Sequence, residues 1–170
     1  MDTVRDFEDI LVSMQKHRVR YLVIGGLAFI HHAKPPYTKD IDIWVDPSAE
    51  NIERANQALA ESGSPYLMEF GKSDEVVQVG LPPNRIDLIQ TVEGMSFDTA
   101  WEKRDRGPYG RVTANWIDID SLISVKARIP VPRHQQDVRD LLKVREMRKS
   151  SKRKTTRRSD IRPVRRRGAS

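Results

Sequence analysis

Residues 21–46 read YLVIGGLAFIHHAKPPYTKDIDIWVD, and the fold turns on this stretch. The apolar run Tyr21-Leu22-Val23-Ile24 is short enough for a buried strand. Gly25 and Gly26 follow, then an apolar helical piece from Leu27 to His32 and a turn at Lys34-Pro35-Pro36. A second strand is expected from Lys39 to Val45, with acids at Asp40 and Asp42. Side chains alternate along a strand, so the two acids share one face while Ile41 and Ile43 turn towards a core. Two carboxylates held side by side repel each other unless a cation lies between them. Oxygen-only ligands suit Mg2+, an ion that also binds phosphates. The glycine pair stands where a strand hands over to a helix N-terminus, a place suited to phosphate. A phosphate cradle and a metal pair in one short unit point to chemistry on a nucleotide.

Upstream, Val4, Phe7, Ile10, Leu11 and Met14 recur at helical spacing, which predicts a helix over 3–17 capped by Asp2 or Thr3. The first strand begins near Val19. Downstream, Asp46-Pro47 reads as a helix start, and Gly63 ends that helix after Ser62. Its inner face is Ile52, Ala55, Leu59 and Ala60. Strands are expected at 66–70 and 75–79, with a turn over 80–84. The strand expected over 85–92 puts Ile86, Leu88 and Val92 on one face and Asp87 on the other. A short helix follows over 97–104, then one or two strands within 111–119. Asp120 is the expected cap of a helix over 121–128 that carries Lys126, and Pro130 and Pro132 break it. A last helix is expected from about Arg133 to Arg148. This order gives an α/β (α+β) domain, a mixed sheet with helices against it.

The 170 residues suffice for one domain with a proper core. The absence of cysteine excludes a disulfide framework and a thiolate zinc site. No apolar run approaches membrane-spanning length, and MDTVRDFEDI is too acidic for a signal peptide, so a soluble cytoplasmic protein is expected. The net charge of +6 divides unevenly. Residues 148–170 hold eleven Lys or Arg and one acid, giving +10, and residues 1–147 carry −4. The expected organisation is therefore a domain over 1–147 and a disordered basic tail over 148–170, too poor in apolar residues to offset chain entropy.

Gly25-Gly26, thirteen residues and then Asp40-Ile41-Asp42-Ile43 resemble the signature of the nucleotidyltransferase superfamily related to polymerase β. Asp87, in Arg85-Ile86-Asp87-Leu88, matches that signature's third acid. The C-terminal half, with Asp120, Lys126, Arg133 and Asp137, resembles the minimal nucleotidyltransferase branch that includes type IV abortive-infection toxins. The resemblance covers roughly residues 19–145. It implies a nucleotidyltransferase fold and two-metal nucleotidyl transfer, with NTP as substrate and Mg2+, two ions, as cofactor. Asp40, Asp42 and Asp87 would be the metal ligands and catalytic acids, and Asp87 would help deprotonate the attacking hydroxyl. Gly25, Gly26, Thr38, Lys39 and Lys126 would bind the nucleotide, with Asp137 in support. This chain departs from the pattern twice. Gly26 stands where a serine is frequent, and Pro36 where an arginine is frequent; Lys34 or Lys39 could supply a point charge there but no bidentate fork.

Blander readings stand beside these. The acid pair can be an exposed strand face, Lys126 a surface lysine and Asp137 a solvated helix acid. His31 and His32 lack a third nitrogen or sulfur ligand at sensible spacing and read as helix-end residues near the site. Trp44, Trp101 and Trp116 read as packed aromatics. The tail is either a binder of nucleic-acid phosphates, RNA above all, or a solvated appendage; without aromatics it lacks base stacking. Two functions follow: an enzyme passing a nucleoside monophosphate from an NTP to a hydroxyl of RNA, protein or a small molecule, or a catalytically silent module that acts as a binding domain or as a toxin–antitoxin component with an antitoxin-like protein as partner.

Overall fold

The computed structural model describes residues 4–34, 38 and 40–159. Twelve elements follow in order: α1 (Arg5–Lys16), β1 (Tyr21–Ile24), α2 (Gly25–Ala33), β2 (Asp40–Val45), α3 (Ala49–Glu61), β3 (Val77–Val79), β4 (Arg85–Ile89), α4 (Phe97–Lys103), β5 (Asp105–Tyr109), β6 (Val112–Trp116), α5 (Ile119–Ala127) and α6 (Pro132–Ser159). They build the expected mixed sheet, six strands in the order β3-β4-β2-β1-β6-β5.

Its centre is the unit from which the sequence was read. β1 is buried along its whole length and pairs antiparallel with β2. β2 pairs parallel with β4, and β1 pairs parallel with β6. Antiparallel partners, β3 and β5, close the two ends. Alternation holds in β2: Ile41 and Ile43 are fully buried, whereas Asp40 and Asp42 are only partly covered. α1 packs on α3, burying Phe7, Ile10, Leu11 and Met14. α2, α5 and α6 pack on one another. Among the described residues no helix is long and apolar enough to cross a membrane.

Several elements differ from expectation. Residues 66–70 form no strand: Tyr66, Leu67 and Phe70 are exposed, and the Asn56 side chain takes the place of a neighbouring strand by bonding Met68 N–H and C=O, both at 2.8 Å. β5 was not expected, because Asp105-Arg106-Gly107-Pro108-Tyr109 has poor strand propensity. Its place at the sheet edge tolerates Pro108, and pairing with β6 holds it. The caps shift as well. α3 starts after Ser48, while Asp46 accepts from Ser48 N–H and pairs with Arg20. α5 is capped by Asp118, which accepts from Ser121 N–H, rather than by Asp120. β4 ends at Ile89, before Val92. The expected caps of α1, Asp2 and Thr3, lie outside the described residues.

The last helix continues past Arg148 to Ser159. Residues 148–159 contain no glycine or proline, and lengthening an existing helix adds one hydrogen bond per residue without a new nucleus. A composition rule that counts only burial misses this. The remainder of the basic segment, from Asp160, lies outside the described residues.

Candidate active site

The register of β2 on β4 sets Asp40 beside Arg85 and Asp42 beside Asp87. With period-2 alternation, three carboxylates and one guanidinium share a single face. Arg85 Nη2 donates to Asp87 Oδ2 at 2.8 Å and to Asp40 Oδ2 at 3.2 Å. Thr38 shares its hydroxyl proton between Asp40 Oδ1 at 3.0 Å and Asp40 O at 3.1 Å. Burial pushes the Asp42 carboxyl up from 3.8 to about 6, and the charges of Asp40 and Asp87 push the same way.

Gly25 explains how Asp42 is held. Ile24 pairs with Asp42, so the chain turns into α2 directly beside that carboxylate. Gly25 has φ +67°, and a Cβ there would stand 2.1 Å from Asp42 Oδ2. Only glycine fits both the left-handed backbone and the close approach. At Gly26 a Cβ would meet Thr38 Oγ1 at 3.1 Å.

A cavity of about 440 Å³ opens in front of these groups. Gly25, Gly26, Thr38, Asp40 and Asp42 form one wall; Lys126, Arg133, His134 and Asp137 form the other. Lys126 is buried, donates to Asp137 Oδ2 at 2.7 Å and lies 5.6 Å from the centre of the Phe29 ring. Burial lowers the His134 pKa, and the nearby Lys126 charge lowers it further. A second cavity, about 470 Å³, lies between α1, the end of α3 and Ile86 on β4. Ile86 precedes Asp87 and points to the opposite sheet face, so that cavity has no access to the carboxylates.

The carboxylates fit a divalent cation. Asp87 Oδ1 is buried without a hydrogen-bond partner, Asp42 is crowded by two like charges, and all the donor atoms are hard oxygens. The three groups are spread more widely than a single-ion cage. Among the described residues, the one trio of ligand atoms within 4.8 Å of one another is His31, His32 and Asp105.

The two histidines end α2, as expected, and are not among the residues that line the cavity. β5, the unexpected strand, brings Asp105 Oδ2 to 3.8 Å from His31 Nε2 and 3.7 Å from His32 Nδ1. Ile117 O can only accept, so His32 Nε2 donates to it at 2.7 Å and Nδ1 carries the lone pair. Arg148 Nη1, on α6, lies 3.3 Å from that Nδ1, and Arg148 Nη2 donates to His32 O at 3.4 Å. His31 stacks on Trp116 at 4.3 Å, over Gly107. Burial lowers both histidine pKa values, that of His31 to about 4.

The structure therefore gathers Gly25, Gly26, Thr38, Asp40, Asp42, Lys126 and Asp137 around one cavity, with Asp87 beside Asp42 on the next strand. Lys39 and Pro36 lie outside the described residues. Trp44 is packed: its Nε1 donates to Gln90 O at 3.1 Å and its ring meets Phe97 edge-on. Trp116 is buried and Trp101 lies beneath Arg104. Sequence reasoning missed Arg85 and His134. Arg85 was within reach, since it stands two positions before Asp87 and alternation puts it on the acid face.

A strand–Gly-Gly–helix unit, an acid pair on the next strand and a third acid on a parallel neighbour make this a nucleotidyltransferase fold. Solved structures agree. The lincomycin-bound lincosamide antibiotic adenylyltransferase LnuA superposes with TM-score 0.59 at 16% identity, over 84% of this chain and 99% of its own. The solution structure of the antibiotic-resistance factor ANT(2'')-Ia gives 0.57 at 12% identity, over 93% and 97%. Its crystal structure with adenylyl-2''-tobramycin gives 0.55 at 14% identity, over 88% and 96%. No protein-family model and no curated protein matches the chain.

Proposed function

We infer that the protein is a Mg2+-dependent nucleotidyltransferase that moves a nucleoside monophosphate from an NTP to a hydroxyl. The observation that carries this reading is the set Asp40, Asp42 and Asp87 on two paired strands, with the N-terminus of α2 and Lys126 across one cavity. Asp40, Asp42 and Asp87 would hold the metal; once bound, Mg2+ supplies positive charge to the attacking and leaving oxygens. Gly25 and Gly26, at the N-terminus of α2, and Lys126 line the cavity that a triphosphate would fill. The acceptor oxygen bonds the α-phosphorus as the bond to the α–β bridging oxygen breaks, and pyrophosphate leaves. The hydroxyl proton passes to Asp87, beside Asp42 on the next strand. Asp137 positions Lys126 through their 2.7 Å contact. Such an enzyme would act in the cytoplasm, where NTPs are abundant.

LnuA and ANT(2'')-Ia are named for small-molecule antibiotics. In this chain the end of α6 is basic: Arg148, Lys149, Lys152, Arg153 and Lys154 run without an acid. That charge favours a polyanionic acceptor, and RNA carries both phosphates and free hydroxyls. The test is incubation with Mg2+ and each α-labelled NTP, offering RNA, protein extract and small-molecule hydroxyls separately. Label on one acceptor that is lost in Asp42→Asn supports transfer. No label on any acceptor counts against it.

Arg85 among the acids, and Gly26 in place of a hydroxyl, favour one other reading: a silent module that pairs with an antitoxin-like protein. A ligand that binds only the native state must raise Tm. If Mg2+ with NTP leaves Tm unchanged, the silent module is the better reading.

A further inference from the structure

We propose that Arg85 is a built-in counter-ion of the carboxylate site, displaced when a divalent cation binds and then turned to the phosphates of the NTP. The inference rests on the nucleotidyltransferase reading and deepens it.

Four observations carry it. First, Arg85 sits in register with Asp40 and on the same face as Asp87, so its guanidinium lies among the atoms a cation would take as ligands. Secondly, its hold is weak in form. One nitrogen, Nη2, divides its contacts between two carboxylates, while Nε is buried and has no partner. A structural Arg–carboxylate pair normally uses a two-nitrogen fork. Thirdly, one guanidinium cannot neutralise three carboxylates. Two negative charges remain, and Asp87 Oδ1 remains without a donor. Fourthly, Lys126, across the cavity, is already engaged by Asp137. Arg85 still has a donor without a partner, its Nε.

The sequence of events follows from charge. Without metal, Arg85 lies between Asp40 and Asp87 and screens one from the other. A divalent cation brings twice the charge to the same oxygens and takes them over. The guanidinium is released next to Asp40, which lines the cavity, where the anion that arrives with the metal is a triphosphate, a strong acceptor for a planar fork. No bond is made or broken in this exchange.

The account makes opposite predictions for metal and nucleotide, which a merely structural arginine would not do. Mn2+ binding to the full chain, followed by EPR without nucleotide, should be about tenfold tighter in Arg85→Gln, because the competing charge is gone. ATP binding in the presence of saturating Mn2+, followed by calorimetry, should be about tenfold weaker, because the phosphate donor is gone. Arg85→Lys keeps the charge and should lie nearer the wild type in the Mn2+ titration; it serves also if Arg85→Gln fails to fold. Mn2+ affinity that is unchanged or weaker in Arg85→Gln overturns the counter-ion role. Unchanged ATP affinity overturns the phosphate role. If neither wild type nor variant binds Mn2+, the nucleotidyltransferase reading itself fails, an outcome distinct from equal binding by both.

Discussion

Two regions of this molecule each place an arginine among ligand-type side chains. In one, Arg85 meets Asp40 and Asp87, with Asp42 alongside. In the other, Arg148 meets His32, with His31 and Asp105 alongside. The second is the tighter cluster, yet its charge is balanced: one carboxylate, one guanidinium and two histidines kept neutral by burial. Its buried polar atoms also have roles, since Ile117 O fixes His32 and Trp116 backs His31. The first cluster is looser and carries two negative charges in excess, with a buried oxygen left unpartnered. Proximity alone would choose the histidines as the metal centre; the proposed metal site at the acids rests on charge balance instead. The histidine cluster then serves to tie α2, β5 and α6 together.

The largest expected break in this comparison is Gly25→Ala. A Cβ would overlap Asp42 Oδ2, and the residue would keep a left-handed backbone. The expected cost is about 3 kcal/mol in denaturant unfolding, with loss of nucleotide binding in whatever fraction folds. The equivalent close approach at the other cluster, Gly107 under His31, should also resist substitution but leave metal and nucleotide binding intact.

Asp42→Asn comes next and should act in opposite directions on activity and stability. Transfer should be lost. Stability without metal should rise by about 3 kcal/mol at neutral pH, because the Asp42 shift spans about two pKa units and each is worth about 1.4 kcal/mol. The folded Asp42 pKa, about 6, lies above its ordinary 3.8, so between these values the native chain keeps a proton that the unfolded chain has lost. Wild-type stability without metal should therefore fall as pH rises through this window and level off above it. The gain from Asp42→Asn should fade towards pH 4, as urea midpoints across pH would show.

Arg148→Ala sharpens the comparison from the other side. It leaves the buried His32 Nδ1 without its donor and should cost about 1 kcal/mol in stability. Mn2+ binding at the acids should not change. Tight Zn2+ binding gained by this variant, measured by competition with a chromophoric chelator, would mean that Arg148 blocks a metal site rather than completing a structural network.

The smallest effect on folding should come from shortening α6 at Lys149. A chain cut near Met147, where composition alone divides body from tail, would lose Arg148 and its hold on His32. A chain ending at Lys149 keeps that contact, so Tm should stay the same while RNA binding weakens. The log–log salt slope, about −0.7 per neutralised phosphate for single strands, should become shallower. Equal RNA binding by both chains at low salt would remove the case for a polyanionic acceptor.

The centre of the fold was legible because one short segment carries all its signals: an apolar run, a glycine pair and alternating acids. Asp87 was legible by the same alternation. What escaped came from pairing between distant segments. β5 has a sequence that no strand propensity favours, and its partner β6 makes it a strand. Asp105 therefore could not be placed beside His31 and His32 in advance. Asn56 substitutes for a strand partner of Met68, which no local pattern reveals. Arg85 was visible on the acid face but went unread, because a cation among acids looks like simple neutralisation until the register shows that one nitrogen serves two carboxylates.

The most direct test of the charge-balance account is an EPR titration of bound Mn2+ in the wild type, Asp42→Asn and Asp105→Asn at neutral pH. The account predicts that the wild type and Asp105→Asn bind alike and that Asp42→Asn loses the ion. Binding kept by Asp42→Asn and lost by Asp105→Asn would contradict it and move the metal centre to the histidines.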